Sequence, residues 1–273
     1  MSETSDLFAE VVLLAERASE LTLKWFQSSS LEVEEKPDGS PVTEADRAVE
    51  DFLRSEISSR WPEDAIVGEE RDDHSGTSGR TWYIDPIDGT KSFAHGVPLY
   101  STLLALCDEQ GPAIGVISLP ALGERVAAAR GKGCFHNGEK CQVFRSSQQG
   151  KSKVLCMSGM EYLSQEAKLR LAKSPYVLRT WGDAYGYFLV ATGKIPAMID
   201  DTMCPWDVAP LAVIIPEAGG RITTWAGSAI GGSDIGGSDI ESTASVLATN
   251  GEVHDELLKL LGGSEKHGIA PRS

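Results

Sequence analysis

The chain is short of positive charge. Only 25 lysines and arginines stand against 40 aspartates and glutamates in 273 residues, a formal net charge of −15. That deficit argues against nucleic acid or an anionic membrane as partner. It does not argue against a phosphorylated substrate, because bound cations would invert the local field, and it suits a substrate that is itself cationic. No apolar run approaches transmembrane length. Met1 to Asp6 is polar and acidic, unlike a secretory n-region, so a cytoplasmic location is expected. The cysteines are few and odd in number (107, 134, 141, 156 and 204) and contain no Cys-x-x-Cys pair. Free thiols in a reducing compartment are expected, with Cys204 a small core residue rather than a nucleophile. The five histidines (74, 95, 136, 254 and 267) lie mostly in polar segments and have no ligand spacing on a helix, which predicts surface roles. No Ser–His–Asp set is evident.

What the chain does have is acid in a particular arrangement. Residues 82 to 93 read WYIDPIDGTKSF. An apolar run, Trp82-Tyr83-Ile84, ends in Asp85, and Asp88 follows three residues later. Two carboxylates this close repel each other unless a cation lies between them. Pro86 holds Asp85 extended and fixes its own φ, which predicts a stiff turn leaving a strand. Such a turn can aim Asp85, the Ile87 carbonyl and Asp88 at one point, an all-oxygen site suited to Mg²⁺. Gly89 lets backbone approach a ligand, and N–H groups at a following helix start favour a phosphate. Taken alone, the segment equally fits a D-P-x-D-G surface turn.

Further carboxylates lie elsewhere. Gly68-Glu69-Glu70 ends the strand-like run Ala65-Ile66-Val67, Trp206-Asp207 opens an apolar helical stretch, and Asp46 follows Pro41-Val42-Thr43-Glu44-Ala45. Each has an ordinary explanation: a solvated strand end, a helix cap, or a capping box of Thr43 with Asp46. Together, in this order and spacing, they resemble the inositol monophosphatase-like family of metal-dependent phosphatases. Its G-E-E, W-x-x-D-P-[IL]-D-G-T-x-[NS]-F and W-D-x-A signatures match Gly68 to Glu70, Trp82 to Phe93 and Trp206 to Ala209. The resemblance runs from about residue 8 to about residue 260.

Along the chain, helical periodicity is expected over 6–27 and from Thr43 to Ser59. Strands are expected at 81–85, 99–107, 113–119 and 125–130, with Asn137-Gly138 as a tight hairpin turn. The second half alternates strands and helices, and Pro216 predicts a kink or early end in the helix that starts at Trp206. Expected units are an α+β half at 1–145, an α/β half at 146–262 joined through a polar junction at 145–153, and a flexible tail at 263–273. The tandem Gly231 to Ile235 and Gly236 to Ile240 repeat reads as a mobile loop. The resemblance implies an α/β fold, specifically a layered α-β-α-β-α sandwich, and a homodimer.

The resemblance also implies roles. Glu69, Asp85 and the Ile87 carbonyl would hold one Mg²⁺. Asp85 would bridge to a second shared with Asp88 and Asp207, and Glu69 would help bind a third. Thr90 and Asp46 would orient the attacking water, and Glu70 would complete the acid cluster. Ile87, Asp88, Gly89 and Thr90 would surround the phosphate. No ligand position is lost, which disfavours a degenerate phosphate-binding module. Substrate choice rests on the second half. The residue after Gly182 is Asp183, where inositol-cleaving relatives place Ser or Thr, and Asp200 or Asp201 matches a substrate-contacting carboxylate. Two carboxylates at the leaving group favour an amine or imidazolium over a polyol. Gly182-Asp183 through Tyr187, together with Lys36 to Asp46, resembles the histidinol-phosphate phosphatases of this family. Histidinol phosphate is therefore preferred over inositol 1-phosphate. Asp183 as a plain helix cap is the alternative, and Arg179 fits either substrate contact or a subunit boundary. A nucleotide bisphosphate would want more basic residues than 176–204 supply.

Overall fold

The computed structural model describes residues 3–37, 39–145, 153–230 and 244–262. Residues 146–152 of the polar junction, the repeat at 231–240 and the tail from 263 lie outside them.

The chain opens with helix α1 (Glu3–Thr22), then a short hairpin of β1 (Val33–Glu35) and β2 (Pro41–Thr43), then α2 (Glu44–Arg60). A seven-stranded sheet follows: β3 (Ala65–Gly68), β4 (Thr81–Asp88), β5 (Ser101–Asp108), β6 (Gly111–Leu119), β7 (Glu124–Ala129), β8 (Gly133–His136) and β9 (Glu139–Cys141), in that spatial order. Only β3 and β4 run parallel. A short helix, α3 (Thr90–Ala94), follows β4. The second half supplies β10 (Val154–Met157), α4 (Gln165–Ala172), β11 (Val177–Arg179), α5 (Ala184–Ala191), β12 (Ala197–Met203), α6 (Pro205–Glu217), β13 (Arg221–Thr223), β14 (Ala244–Thr249) and α7 (His254–Leu261). Its five strands are ordered β11-β10-β12-β14-β13.

Strand alternation assigns the layers. Trp82, Ile84, Leu104 and Leu106 point to one face of the large sheet, against Val11, Leu14 and Ala18 of α1 and Val49, Leu53 and Ile57 of α2. Leu103, Ile117 and Val126 point to the other face, against α5 and α6, which also pack on Met198, Val246 and Ala248 of the small sheet. Leu155, Ile199 and Leu247 face the far side, under α4 and α7. The result is helices, sheet, helices, sheet, helices, the layered α/β sandwich expected.

Four local expectations change. Helix α1 stops at Thr22, where Leu23 and Lys24 bond to carbonyls three residues back and Gln27 takes φ 62°. α6 continues through both Pro210 and Pro216 to Glu217. A proline inside a helix costs about 3 kcal/mol, but Val208 to Ile215 are all buried between the sheets, and packing holds the helix together. β4 does not end at Asp85. It runs through Pro86 to Asp88, with an irregularity in its pairing to β5 between the two aspartates. Finally, His254 is a core residue, 0 % exposed, bonded to Thr223 and Thr249 rather than to solvent. The β1–β2 hairpin and α4 were not anticipated, because three-residue strands and a polar eight-residue helix carry little periodicity.

Candidate metal and phosphate site

The carboxylates converge where strand ends meet helix starts. β4 carries Asp85 and Asp88, and β3 leads into Glu69 and Glu70. Asp46 sits in the first turn of α2, Asp207 in the first turn of α6, and Asp183 immediately before α5. The free N–H groups and dipoles of these helix starts favour negative charge. Local chemistry explains two placements. The capping box of Thr43 and Asp46 exists, with Asp46 Oδ2 accepting from Thr43 N at 2.8 Å. Asp46 Oδ1 remains toward the cluster and accepts from Thr90 Oγ1 at 3.4 Å. Asp207 Oδ2 likewise accepts from Cys204 N at 2.9 Å. For both residues the ordinary capping reading and the site reading hold together, because a carboxylate has two oxygens.

Asp85, Asp88 and Asp207 each bring a carboxylate oxygen within 4.8 Å of the others. At that separation two like charges repel by roughly 3 kcal/mol in a protein-like dielectric. Burial, and then the neighbouring carboxylates, push Asp85 and Asp207 well above the usual carboxylate range. Asp88 is pushed up to about 6, chiefly by burial, although Ala184 N and Ser101 Oγ donate to its Oδ2 at 2.7 and 2.8 Å. Asp85 Oδ1 is buried and has no hydrogen-bond partner. An orphaned carboxylate oxygen amid carboxylates, with no His or Cys in the donor set, fits a hard divalent cation. The Thr90 hydroxyl donates to the Ile87 carbonyl at 3.0 Å, tying the start of α3 to the end of β4.

The rim holds residues the sequence reading did not single out. Lys36 Nζ bridges Glu69 and Glu70 at 2.8 and 2.6 Å. Glu70 is pushed up to about 7 by burial first and then by Glu69, and Asp46 to about 6 by burial. Buried Glu50 accepts from Glu70 N at 2.7 Å and pairs with Arg54. A Cβ on Gly68 would stand 2.3 Å from Glu50 Oε1, so a side chain there would have to displace the Glu50 carboxylate. Lys36 had a signal, since it begins the Lys36 to Asp46 motif. Glu50 had one too, four residues after Asp46 on the same helix face.

Beside the cluster lies a pocket of about 110 Å³ lined by Asp88, Ser158, Tyr162, Asp183, Asp200, Thr202, Met203 and Asp207. Asp183 makes no capping bond, so the cap alternative fails. It takes φ 54°, with its N–H donating to Ser158 Oγ at 3.0 Å. Its carboxylate lies against Gly89, where a Cβ would come within 2.9 Å of Asp183 Oδ2. Burial and the nearby Asp88 and Asp200 push it well above the usual range. Asp200 accepts from Ser158 N at 3.0 Å and Tyr187 OH at 2.9 Å, and burial pushes it up to about 7. Asp201 instead faces Ser164, outside the pocket lining. Arg179 is not brought to the cluster: it is exposed on β11, its guanidinium over the Trp181 ring at 5.8 Å.

The fold and site define a layered α/β protein with a cluster of carboxylates at converging helix starts that could hold a metal ion. The chain belongs to the inositol monophosphatase family, whose model matches residues 4–265. A histidinol-phosphatase of Chlorobaculum parvum is 46 % identical over 211 residues, 76 % of this chain and 81 % of that one. A histidinol-phosphatase of Mycobacterium tuberculosis is 38 % identical over 258 residues, 91 % of this chain and 95 % of that one. Among solved structures, an inositol monophosphatase from Zymomonas mobilis superposes with a TM-score of 0.78 at 28 % identity, covering 96 % of this chain and 100 % of that one.

Proposed function

We propose that the chain is a Mg²⁺-dependent phosphate monoester hydrolase that acts on histidinol phosphate. The observation that carries this reading is the acidic pocket directly beside the cation site, with Asp183 and Asp200 on its wall. The relatives named histidinol-phosphatase support the same substrate.

Asp85, Asp88, Asp207, Glu69 and the Ile87 carbonyl are the residues that would hold two or three ions. When bound, Mg²⁺ supplies charge neutralisation at the phosphoryl oxygens and a water of lowered pKa. Thr90 and Asp46, already in contact, orient the attacking water, and Glu70 with Lys36 and Glu50 keeps Glu69 in place. The backbone N–H groups of Gly89 and Thr90 face the phosphate. Asp183 and Asp200 receive the cationic end of the leaving group, and Tyr162, whose ring lies under the Lys91 ammonium at 4.9 Å, lines the same pocket. Arg179 is exposed beside Trp181 and outside the pocket lining, where a subunit boundary suits it better than a substrate contact. The same reading gives a cytoplasmic homodimer. The five free cysteines support the compartment, and the family resemblance supports the assembly.

The test is phosphate release from histidinol phosphate, inositol 1-phosphate, fructose 1,6-bisphosphate and adenosine 3′,5′-bisphosphate, with Mg²⁺ and after exhaustive chelation. Histidinol phosphate should give the highest kcat/KM, and chelation should abolish turnover. A preference for inositol 1-phosphate would overturn the substrate, and full turnover without divalent metal would overturn the mechanism.

A further inference from the structure

Far from the acidic cluster, at the other edge of the large sheet, two cysteines face each other. β8 and β9 are joined by Asn137-Gly138, both at positive φ, a tight two-residue turn that sets the register rigidly. In that register Cys134 stands directly opposite Cys141. Directly opposed residues of an antiparallel pair share a face, with Cα atoms about 4.5–5.5 Å apart, inside the span a disulfide needs. The two sulfurs are already 3.5 Å apart and hydrogen-bonded. The remaining approach, to about 2.05 Å, needs only small side-chain rotations. β9 is a three-residue edge strand with strand neighbours on one side only, so it can follow.

We propose that Cys134 and Cys141 are a modification site, a cross-strand dithiol that small disulfides of the glutathione type oxidise to an intrachain disulfide. The two thiols have unequal environments, and this sets the order of attack. Cys134 is 2 % exposed and packs in the core between the two sheets. Cys141 is half-buried at the edge, where a reagent can reach it. The contact with Cys134 first, and then the Lys194 ammonium, hold the Cys141 thiol below its ordinary value against the opposing effect of burial, while the same contact and burial push Cys134 up. The thiolate is the attacking form. Cys141 Sγ attacks one sulfur of the small disulfide, breaks its S–S bond and releases one thiolate, which takes up a proton. Cys134 then loses its proton and attacks Cys141 Sγ, expelling the second thiolate. The protein is oxidised by two electrons and one small disulfide is reduced to two thiols. Cys107 and Cys156 are buried, and Cys204 lies at the start of α6.

The test uses the full native chain with oxidised glutathione, quenched by alkylation in acid. The titratable thiols should fall from the five present to three, with a Cys134–Cys141 peptide in the digest. Cys134→Ser, which lacks the resolving thiol, should accumulate a stable glutathione adduct on Cys141, and Cys141→Ser should form neither adduct nor bond at Cys134. Retention of all five thiols by the wild-type chain, or a bond joining other cysteines, would overturn the proposal. A Cys134→Ser chain whose Cys141 stays unmodified would overturn the order of attack. The wild-type digest decides even if a variant does not fold.

Discussion

Replacing Asp183 by asparagine tests the assignment of the leaving-group pocket most directly. The substitution removes one negative charge and almost nothing else. The side chain makes no capping bond, so no cap is lost, and the backbone N–H to Ser158 Oγ remains. The backbone at φ 54°, ψ −155° is strained for aspartate and asparagine alike, so the exchange leaves that cost in place. A carboxylate and an ammonium about 4 Å apart attract by about 4 kcal/mol at an effective dielectric near 20. Desolvation of both partners consumes part of this, and hydrogen bonds to charged groups are worth about 1–3 kcal/mol net. The specificity constant for histidinol phosphate should therefore fall roughly 5- to 150-fold. Glycerol 2-phosphate, whose leaving group is uncharged, should be spared. Loss of one of several crowded carboxylates should leave Tm unchanged or slightly raised. The assay is the ratio of kcat/KM for the two substrates, in wild type and variant, at saturating Mg²⁺. An unchanged ratio would refute cation recognition by Asp183 and bring inositol 1-phosphate forward.

Three further outcomes are expected. Asp88→Asn keeps an amide oxygen for Ala184 N and Ser101 Oγ, so the fold should persist while kcat falls by ~10²-fold or more, the scale for one lost electrostatic contact to a transition state; near-normal turnover at low Mg²⁺ would show that Asp88 holds no ion. Gly89→Ala places a Cβ 2.9 Å from Asp183 Oδ2 and 3.2 Å from Leu99 O at φ +82°. It should lower stability by about 1–2 kcal/mol from the backbone alone and reduce activity, and a variant with wild-type Tm and rate would count against the close approach. The third concerns pH. His254 is held neutral, its pKa lowered to about 4 by burial first and then by Arg221, against about 6.5 in the unfolded chain. Its folded pKa is the lower one, so the unfolded state binds more protons between these values. Stability from this group is full above pH 6.5 and is lost as pH falls toward 4. The loss should be about 2 kcal/mol by pH 5. Urea titrations of wild type and His254→Gln at pH 7 and pH 5 should show the wild type losing that much more, and equal losses would contradict it.

Much was decided by sequence alone, because it depends on short-range order. The strand of Trp82 to Ile84, the Thr43–Asp46 cap, the Asn137-Gly138 turn and the family signatures are all local patterns. The proline-bearing Asp85 to Asp88 segment by itself fitted a surface turn as well as a cation site, and only the further carboxylates and the family signatures favoured the second. What the sequence could not decide depends on contacts between distant segments. Pro216 read as a kink or early end, yet burial between two sheets carries α6 through it, as through Pro210, to Glu217. His254 reads as polar surface, yet Thr223 and Thr249 satisfy it in the core. Lys36 joins Glu69 and Glu70 across 33 and 34 residues. Asp183 could have been a cap or a pocket wall, and its backbone conformation with the Gly89 contact made it a wall. Arg179, named from its neighbours in sequence, was turned outward by its place on an edge strand. Local chemistry selects which residues can bear a charge or a turn; only the packed layers determine which charges are buried together.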